Sequence, residues 1–500
     1  MSTTISGSPL TTNEIINFVW KTCDSFRGLI DPSEYKNCIL TMLFLKYVSD
    51  RSDDLRDQYH ERYQGDEERI AQAMRGRLVV PEECQFTYLY SKRDNDNIGE
   101  LITAALEKIG DENKQELEGV NVYLDAKALG PLTEKTKLLK QILEDFAKLS
   151  LRRSVLGNPD VIGDVYESLI ARFAGCARKK AGEFYTPPGV STLLAKLLRP
   201  KSGDRICDPA CGSGSLLIKV AREVGSDGYS LAGQESNAAT AALCKMNMFL
   251  HGIVDARIEI GDTLTNPHLT ADDGLLKFDI VVANPPFNLN LEKWRYDKIA
   301  NNDPFRRFWR RPPPKNHRDF AFITHMIETA SPTGRVGVIV SHGVLFRAGD
   351  ERIIRQQLIE ENLLEAVIGL PQKLFYGTSI PAAILIFSKQ KNDRTVLFID
   401  ASREYELSKN QNELQEKQIT KIVDTYWNRQ TIPNYSCLAS MEELTKNDFN
   451  LNISRYVDTS GEEDQIDWTQ LVIEKNTLKT RLSEVEAKIE VFIKELGYDA

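Results

Sequence analysis

From Arg205 onward the chain alternates short apolar runs with helical stretches, and no other feature restricts its fold as much. The runs are Arg205–Cys207, Ser230–Ala232, Arg257–Ile260, Phe278–Ala283, Val336–Val340, Leu364–Ile368, Ala382–Phe387 and Val396–Ile399. Parallel strands need a crossover between them, usually a helix, and strands covered on both faces read as continuous apolar runs. The alternation therefore predicts an α/β fold with a mostly parallel, doubly wound sheet. In such sheets ligands sit at the carboxyl ends of the strands, where the strand order reverses.

The flanks read differently. Thr11 and Glu14 form a capping-box pattern ahead of Ile15, Ile16, Phe18 and Val19, with Gly28 ending the run. Asp31-Pro32-Ser33-Glu34 opens a second helix through Tyr35, Ile39, Leu43 and Tyr47. Charged periodic segments follow, so residues 1–152 are expected to form an all-α domain. A helix opened by Asn158-Pro159, running through Val165, Leu169 and Phe173, is assigned to the next domain, 153–465. At the far end Leu471, Leu478, Leu482, Val485, Ile489, Phe492 and Leu496 keep a 3-4 spacing interrupted by Lys475. That is a coiled-coil seam, and 466–500 reads as a helix for subunit assembly, with docking onto its own chain as the alternative.

Bulk properties exclude little. The formal charge of −9 argues against wholesale wrapping by nucleic acid but leaves room for a local basic patch. The first residues lack a signal-peptide pattern, and the apolar stretches are too short for a membrane span. The eight cysteines are scattered without a CxxC pair, so a reduced, cytoplasmic protein with no metal site is expected.

Between a short strand and the helical run from Leu216 to Val224 lies Asp208-Pro209-Ala210-Cys211-Gly212-Ser213-Gly214-Ser215. Its glycines allow a tight turn and close approach of backbone to ligand. It lacks the third glycine of the dinucleotide fingerprint and the Gly-Lys-Ser/Thr of a phosphate loop. Glu235, just after a strand, is placed to accept from the two ribose hydroxyls of an adenosyl group. Asp262, ending the next strand, is placed to accept from an adenine amino group. With these acids the sheet reads as a Rossmann-like cofactor domain.

The buried-looking strand Phe278–Ala283 runs straight into Asn284-Pro285-Pro286-Phe287. Two prolines stop the strand and hold the turn rigidly. The Asn284 side-chain oxygen and the Pro285 carbonyl then form a pair of fixed acceptors for the two hydrogens of an exocyclic amino group. Accepting both frees the nitrogen lone pair for attack on a sulfonium methyl, so positioning and electrostatics carry the catalysis. Phe287 offers a face for stacking a flipped-out base. The following segment interleaves Lys293, Arg295, Arg306, Arg307, Arg310 and Arg311 with Trp294, Tyr296, Phe305, Phe308 and Trp309. Basic groups neutralise phosphates while aromatics stack on bases, which points to DNA; a solvated loop with packed aromatics is the other reading.

These motifs together resemble the modification (methylation) subunit of type I restriction–modification systems, among the γ-type N6-adenine DNA methyltransferases, over nearly the whole chain. Leu43-Phe44-Leu45-Lys46-Tyr47-Val48-Ser49-Asp50 is similar to the family's helical N-terminal domain. Gly182-Glu183-Phe184-Tyr185-Thr186-Pro187, followed by Pro188, resembles the motif that closes over the methionine part of the cofactor. The cofactor loop, with Asp208, Ala210, Gly212, Ser213, Gly214 and Ser215, and the catalytic motif follow in the γ order. Gly377-Thr378-Ser379-Ile380-Pro381 and Asn450–Tyr456 also look typical. Cys211 stands where small residues are common. The resemblance implies S-adenosyl-L-methionine as cofactor and double-stranded DNA as substrate. It further implies a complex with a DNA-specificity subunit and a second methylation subunit, to which a motor-nuclease subunit adds restriction. A protein glutamine methyltransferase uses the same asparagine-proline-proline chemistry and stays open from the motif alone, as does a non-catalytic cofactor-binding assembly subunit.

Overall fold

The computed structural model describes residues 9–24, 32–74, 77–117, 120, 132–158, 160–176, 185–225, 228–272, 274–287, 303–375, 381–408, 411–458 and 468–495. Gly28, Asp31, Pro159 and Gly377 to Ile380 lie outside these residues, as does Leu496. The N-terminal part is helical. Its principal helices are α1 (Thr12–Asp24), α2 (Pro32–Arg62), α3 (Ile98–Glu112), α4 (Leu132–Phe146) and α5 (Asp160–Cys176). The capping box forms as its spacing predicts. Thr11 N donates to Glu14 Oε2 at 2.8 Å, and Glu14 N donates to Thr11 Oγ1 at 3.3 Å. Ile15, Ile16, Val19 and Cys23 then turn one face of α1 into the core.

The Leu43–Asp50 segment owes its mixed composition to three buried polar groups on α2. Lys46 Nζ donates to Asp50 Oδ1 at 2.5 Å, and Asp50 Oδ2 accepts from Leu151 N at 2.7 Å. Ser49 Oγ accepts from Phe86 N at 2.9 Å. One turn of α2 thus satisfies backbone donors from two distant segments, which no apolar residue would do.

The sheet is nine-stranded among the described residues. Its strands are β1 (Arg205–Asp208), β2 (Ser230–Glu235), β3 (Arg257–Ile260), β4 (Phe278–Ala283), β5 (Ala330–Ser341), β6 (Leu364–Gly369), β7 (Ala382–Ser388), β8 (Val396–Asp400) and β9 (Ser436–Ala439). The order is β9-β8-β6-β7-β5-β4-β1-β2-β3. Neighbours are parallel except that β7 runs antiparallel to β5 and β6, and β9 antiparallel to β8. Each predicted run is a strand, with β5 starting earlier than its apolar stretch. The short edge strand β9 has no branched alternation to announce it.

Both faces are covered. Ile280 and Val282 of β4 meet a layer containing α6 (Pro188–Leu198), α7 (Ser215–Val224) and part of α8 (Ala238–Leu250). Val281 and Ala283 face the opposite layer with α9 (Asp319–Thr329) and α10 (Asp350–Glu360), while α11 (Glu416–Trp427) completes the first. Helix α8 serves two cores. Ala241, Cys244 and Met248 point to the sheet, while Ala242, Leu243, Met246 and Phe249 join the helical core. That helical core also contains Leu151, Leu156 and the Val165, Leu169 and Phe173 face of α5. Residues on both sides of the expected boundary at 152/153 thus share a core, in which α5 packs on α1, α2 and α8.

The last helix, α12 (Trp468–Glu495), covers the predicted seam from Leu471 to Phe492. Leu478, Leu482, Val485 and Ile489 are exposed along it, so this row is not buried against the rest of the chain. No helix among the described residues is long and apolar enough to cross a membrane.

Removing the Asp50 carboxylate strands the Lys46 charge and the Leu151 N–H in a nearly dry environment. Asp50→Ala should cost about 3 kcal/mol in urea denaturation, and Asp50→Asn, which keeps an acceptor, should cost less. Equal losses for the two would show that the charge pair, not the acceptor, matters here.

Candidate active site

Strand β1 pairs with β2 on one side and β4 on the other, both in parallel. The chain turns one way after β1 and returns to the other side for β4, so their carboxyl ends open a crevice between them. The glycine loop leaves β1 into this crevice and Asn284-Pro285-Pro286-Phe287 leaves β4 beside it.

The loop is shaped by left-handed glycines. Gly212 has φ +55° and Gly214 φ +80°. A Cβ on Gly214 would lie 2.7 Å from Cys244 Sγ and 2.9 Å from Met248 Cε, so both the backbone angle and the space demand glycine there. Cys211 is buried against Cys244, Sγ to Sγ 4.0 Å, which places it under the loop rather than in the crevice. Asn247 of α8 donates from Nδ2 to the Ser213 carbonyl at 3.0 Å, and Ser213 and Ser215 hydroxyls meet at 3.2 Å. Asp208 is buried at the end of β1, where Oδ1 accepts from Ala210 N at 2.8 Å. Burial pushes its carboxyl up to about 8, with the nearby Glu235 charge adding to the rise.

Glu235 stands at the end of β2. Its Oε2 accepts from Gly212 N at 3.1 Å and its Oε1 from Asn237 N at 2.8 Å. Asp262 follows β3, with Oδ1 accepting from Leu264 N at 3.0 Å and Oδ2 from Thr265 Oγ1 at 2.9 Å. Arg318 is buried close enough for the Asp262 and Asp319 carboxylates to oppose the burial that lowers its guanidinium to about 10.

The Asn284 side chain is tied to the segment before α6. Asn284 Nδ2 donates to Thr186 Oγ1 at 3.0 Å, a contact between two buried groups almost one hundred residues apart in sequence. Pro187 caps α6 and Pro188 starts it, so Thr186 stands at the entry to that helix. Tyr185 is half-buried against the helical core. Glu183 and Phe184 lie outside the described residues, as do Lys293 and Arg295. Pro285 is buried, while Pro286 and Phe287 are partly exposed. Phe287 meets Phe375 edge to face, with centroids 6.1 Å apart at 77°. Sequence reasoning missed Phe375, although it stands two residues before the noted Gly377–Pro381 segment.

The basic segment divides. Arg306 is exposed, and Arg311 is exposed with its Nε 2.7 Å from Asp350. Arg307 and Arg310 are not surface cations. Arg310 forks between Glu328 and Glu361 at 2.6 Å each, and Arg307 is 2% exposed. Phe308 packs with Leu264, Ala321 and Phe322, whereas Trp309 is exposed.

Residues 157–465 match the family model described as N-6 DNA Methylase, which is more than half of the chain. The chain belongs to the N-6 DNA methylase family. Residues 15–146 match the HsdM N-terminal domain. The type I restriction enzyme MpnII methylase subunit of Mycoplasma pneumoniae is 31% identical, over 97% of this chain and 97% of its own. The MjaVIII methylase subunit of Methanocaldococcus jannaschii is 32% identical, over 98% of this chain and 87% of its own. Among solved structures, the type I restriction-modification system methyltransferase subunit from Streptococcus thermophilus superposes with a TM-score of 0.78 at 33% identity. It covers 90% of this chain and 100% of that one. The chain is thus a DNA methyltransferase of the N-6 class, and membership of this family disfavours the glutamine reading.

The raised Asp208 carboxyl carries a pH dependence. Between about pH 4 and pH 8 the folded protein holds a proton that the unfolded chain has released, so this group's contribution to stability falls as pH rises. Asp208→Asn keeps the acceptor for Ala210 and removes the titration. Thermal midpoints at pH 5 and pH 8 should show the variant gaining on the wild type as pH rises, on the order of 1 kcal/mol per unit. Parallel curves would mean that Asp208 is already ionised in the folded state.

Proposed function

We propose that this chain transfers a methyl group from S-adenosyl-L-methionine to N6 of adenine in double-stranded DNA, as the methylation subunit of a type I restriction–modification complex. The observation that carries this reading is the meeting, at one crevice, of a left-handed glycine loop, two strand-end carboxylates and the Thr186-anchored Asn284. The cradle fits an adenosyl cofactor. Gly212 presents bare backbone with nothing within 4 Å of where its Cβ would stand. Glu235 is the acceptor for the ribose hydroxyls, and Asp262 for the adenine amino group. Bound S-adenosyl-L-methionine supplies an electrophilic methyl group on a positively charged sulfur.

The remaining work falls to the protein. The bond to Thr186 uses the nitrogen end of the Asn284 amide as donor, which sets the oxygen end in the acceptor role the reaction requires. Asn284 Oδ1 and the Pro285 carbonyl, held by two prolines, accept the hydrogens of the target amino group and draw its lone pair out of the ring. Phe287, braced edge-on by Phe375, stacks on a base turned out of the duplex. Lys293, Arg295, Arg306 and Arg311 neutralise phosphates. The α12 row and the relatives' description as methylase subunits support assembly with a DNA-specificity subunit and a second methylation subunit, with a motor-nuclease subunit joining for restriction. The cytoplasm is the compartment this assignment implies.

The test is methyl transfer from labelled S-adenosyl-L-methionine to genomic DNA of a host lacking the modification, with the chain alone and with the specificity subunit. Label should appear as N6-methyladenine with the partner present. Asn284→Ala should lower the rate by roughly 10²–10³ while isothermal calorimetry shows cofactor binding unchanged. Label in protein glutamine rather than DNA would overturn the assignment. Thr186→Val, which removes the anchor and leaves Asn284, should reduce kcat by about tenfold, and Thr186→Ser, which keeps the hydroxyl, should restore most of it.

A further inference from the structure

Arg307 lies in the basic segment but inside the protein, and its five donors are all accounted for. Nε and Nη2 bond the Asp303 carboxylate, with Nη2 to Oδ1 at 2.7 Å. Nη1 donates to the Thr263 carbonyl at 2.9 Å and lies 3.1 Å from His325 Nδ1. Nη2 also donates to the Leu264 carbonyl at 2.7 Å. His325 is kept neutral by burial and by the Arg307 charge itself, so its ring nitrogen is free to accept.

The two carbonyls belong to the residues immediately after Asp262. They leave β3 in a buried turn with no ladder to satisfy them, and a buried carbonyl without a donor is costly. Only a planar fork reaches two successive carbonyls and a carboxylate together; an ammonium does not. The same turn is fastened elsewhere by Thr263 Oγ1, which donates to the Pro209 carbonyl at 2.6 Å, and by Gln234, whose amide brackets Asn266 and His268. Those bonds tie the turn to the sheet and the glycine loop. Arg307 holds the carbonyls of the two residues that follow Asp262.

We infer that Arg307 is a positioning residue for cofactor recognition: it fixes the turn that aims the Asp262 carboxylate at the amino group of the cofactor's adenine. This inference rests on the role given to Asp262 above. A carboxylate aimed at that position accepts from the amino group of adenine and repels the carbonyl of hypoxanthine at the same place. The preference for an adenosyl over an inosyl ligand therefore reports where Asp262 points, and a loss of general stability does not move it.

The experiment measures binding of S-adenosylhomocysteine and S-inosylhomocysteine to the full chain by calorimetry, for wild type, Arg307→Gln, Arg307→Lys and Arg310→Gln. Wild type should prefer the adenosyl ligand. Arg307→Gln should narrow that preference by about tenfold, mainly by weakening the adenosyl complex, and Arg307→Lys should narrow it in the same direction while keeping a charge opposite Asp303. Arg310→Gln removes an equally internal guanidinium that touches Glu328 and Glu361 instead, and should leave the preference as in wild type. If Arg307→Gln fails to fold, Arg307→Lys decides. A preference unchanged in the Arg307 variants, even with both affinities reduced, overturns the inference. So does an equal narrowing in Arg310→Gln. Wild type binding both ligands equally, or neither, would instead strike at the role of Asp262 and at the cofactor reading beneath it.

Discussion

The parallel pairing of β1 with β4 places the proposed chemistry of this protein. Two strands hydrogen-bonded side by side, with the same direction, must end at the same edge of the sheet, and whatever each chain segment carries past its last residue is delivered to one crevice. The glycine loop and the Asn-Pro-Pro-Phe turn are separated by about seventy residues in sequence, yet the register of Ile206 against Ile280 brings their starting points together. The interior of β4 is apolar on both sides, which holds it at the centre of the sheet and leaves its polar turn nowhere to go except out of the carboxyl end.

Around this pairing the other contacts set orientation. Asn284 is anchored by Thr186, Glu235 by the loop it helps to shape, and Asp262 by its own turn. Each candidate side chain thus has a hydrogen bond that limits its rotation before any ligand arrives, which is what a reaction governed by positioning requires. The helical unit enters through α8, whose opposite faces belong to the sheet core and to the helical core. The crevice is consequently mounted on a body that includes the N-terminal helices.

Much of this is legible in the sequence. The capping box at Thr11 and Glu14 is local, and so are the β4 run and the prolines that end it; their physics needs only neighbours in sequence. The basic segment shows where local reading stops. Arg306, Arg307, Arg310 and Arg311 are indistinguishable as a string of cations, but Arg307 finds Asp303 and two backbone carbonyls, while Arg310 finds Glu328 and Glu361. Burial of a guanidinium depends on partners supplied by other elements, and a charge count does not contain them. Phe375 was overlooked for the same reason, since its value lies in meeting Phe287. The layer that helix α5 covers is not legible either, because its apolar face has the same spacing whichever layer it packs on.

The sequence by itself determined every strand of the sheet except the edge strand β9, their order along the chain and the chemical groups at their ends, because periodicity, prolines and left-handed glycines act within a few residues. Only the tertiary structure decided which groups meet: that Asn284 rests on Thr186, that Arg307 turns inward to hold the Asp262 turn, and that α5 and α8 share a core. These are contacts between segments distant along the chain, and their energies depend on distance and burial in three dimensions, quantities that no local pattern encodes.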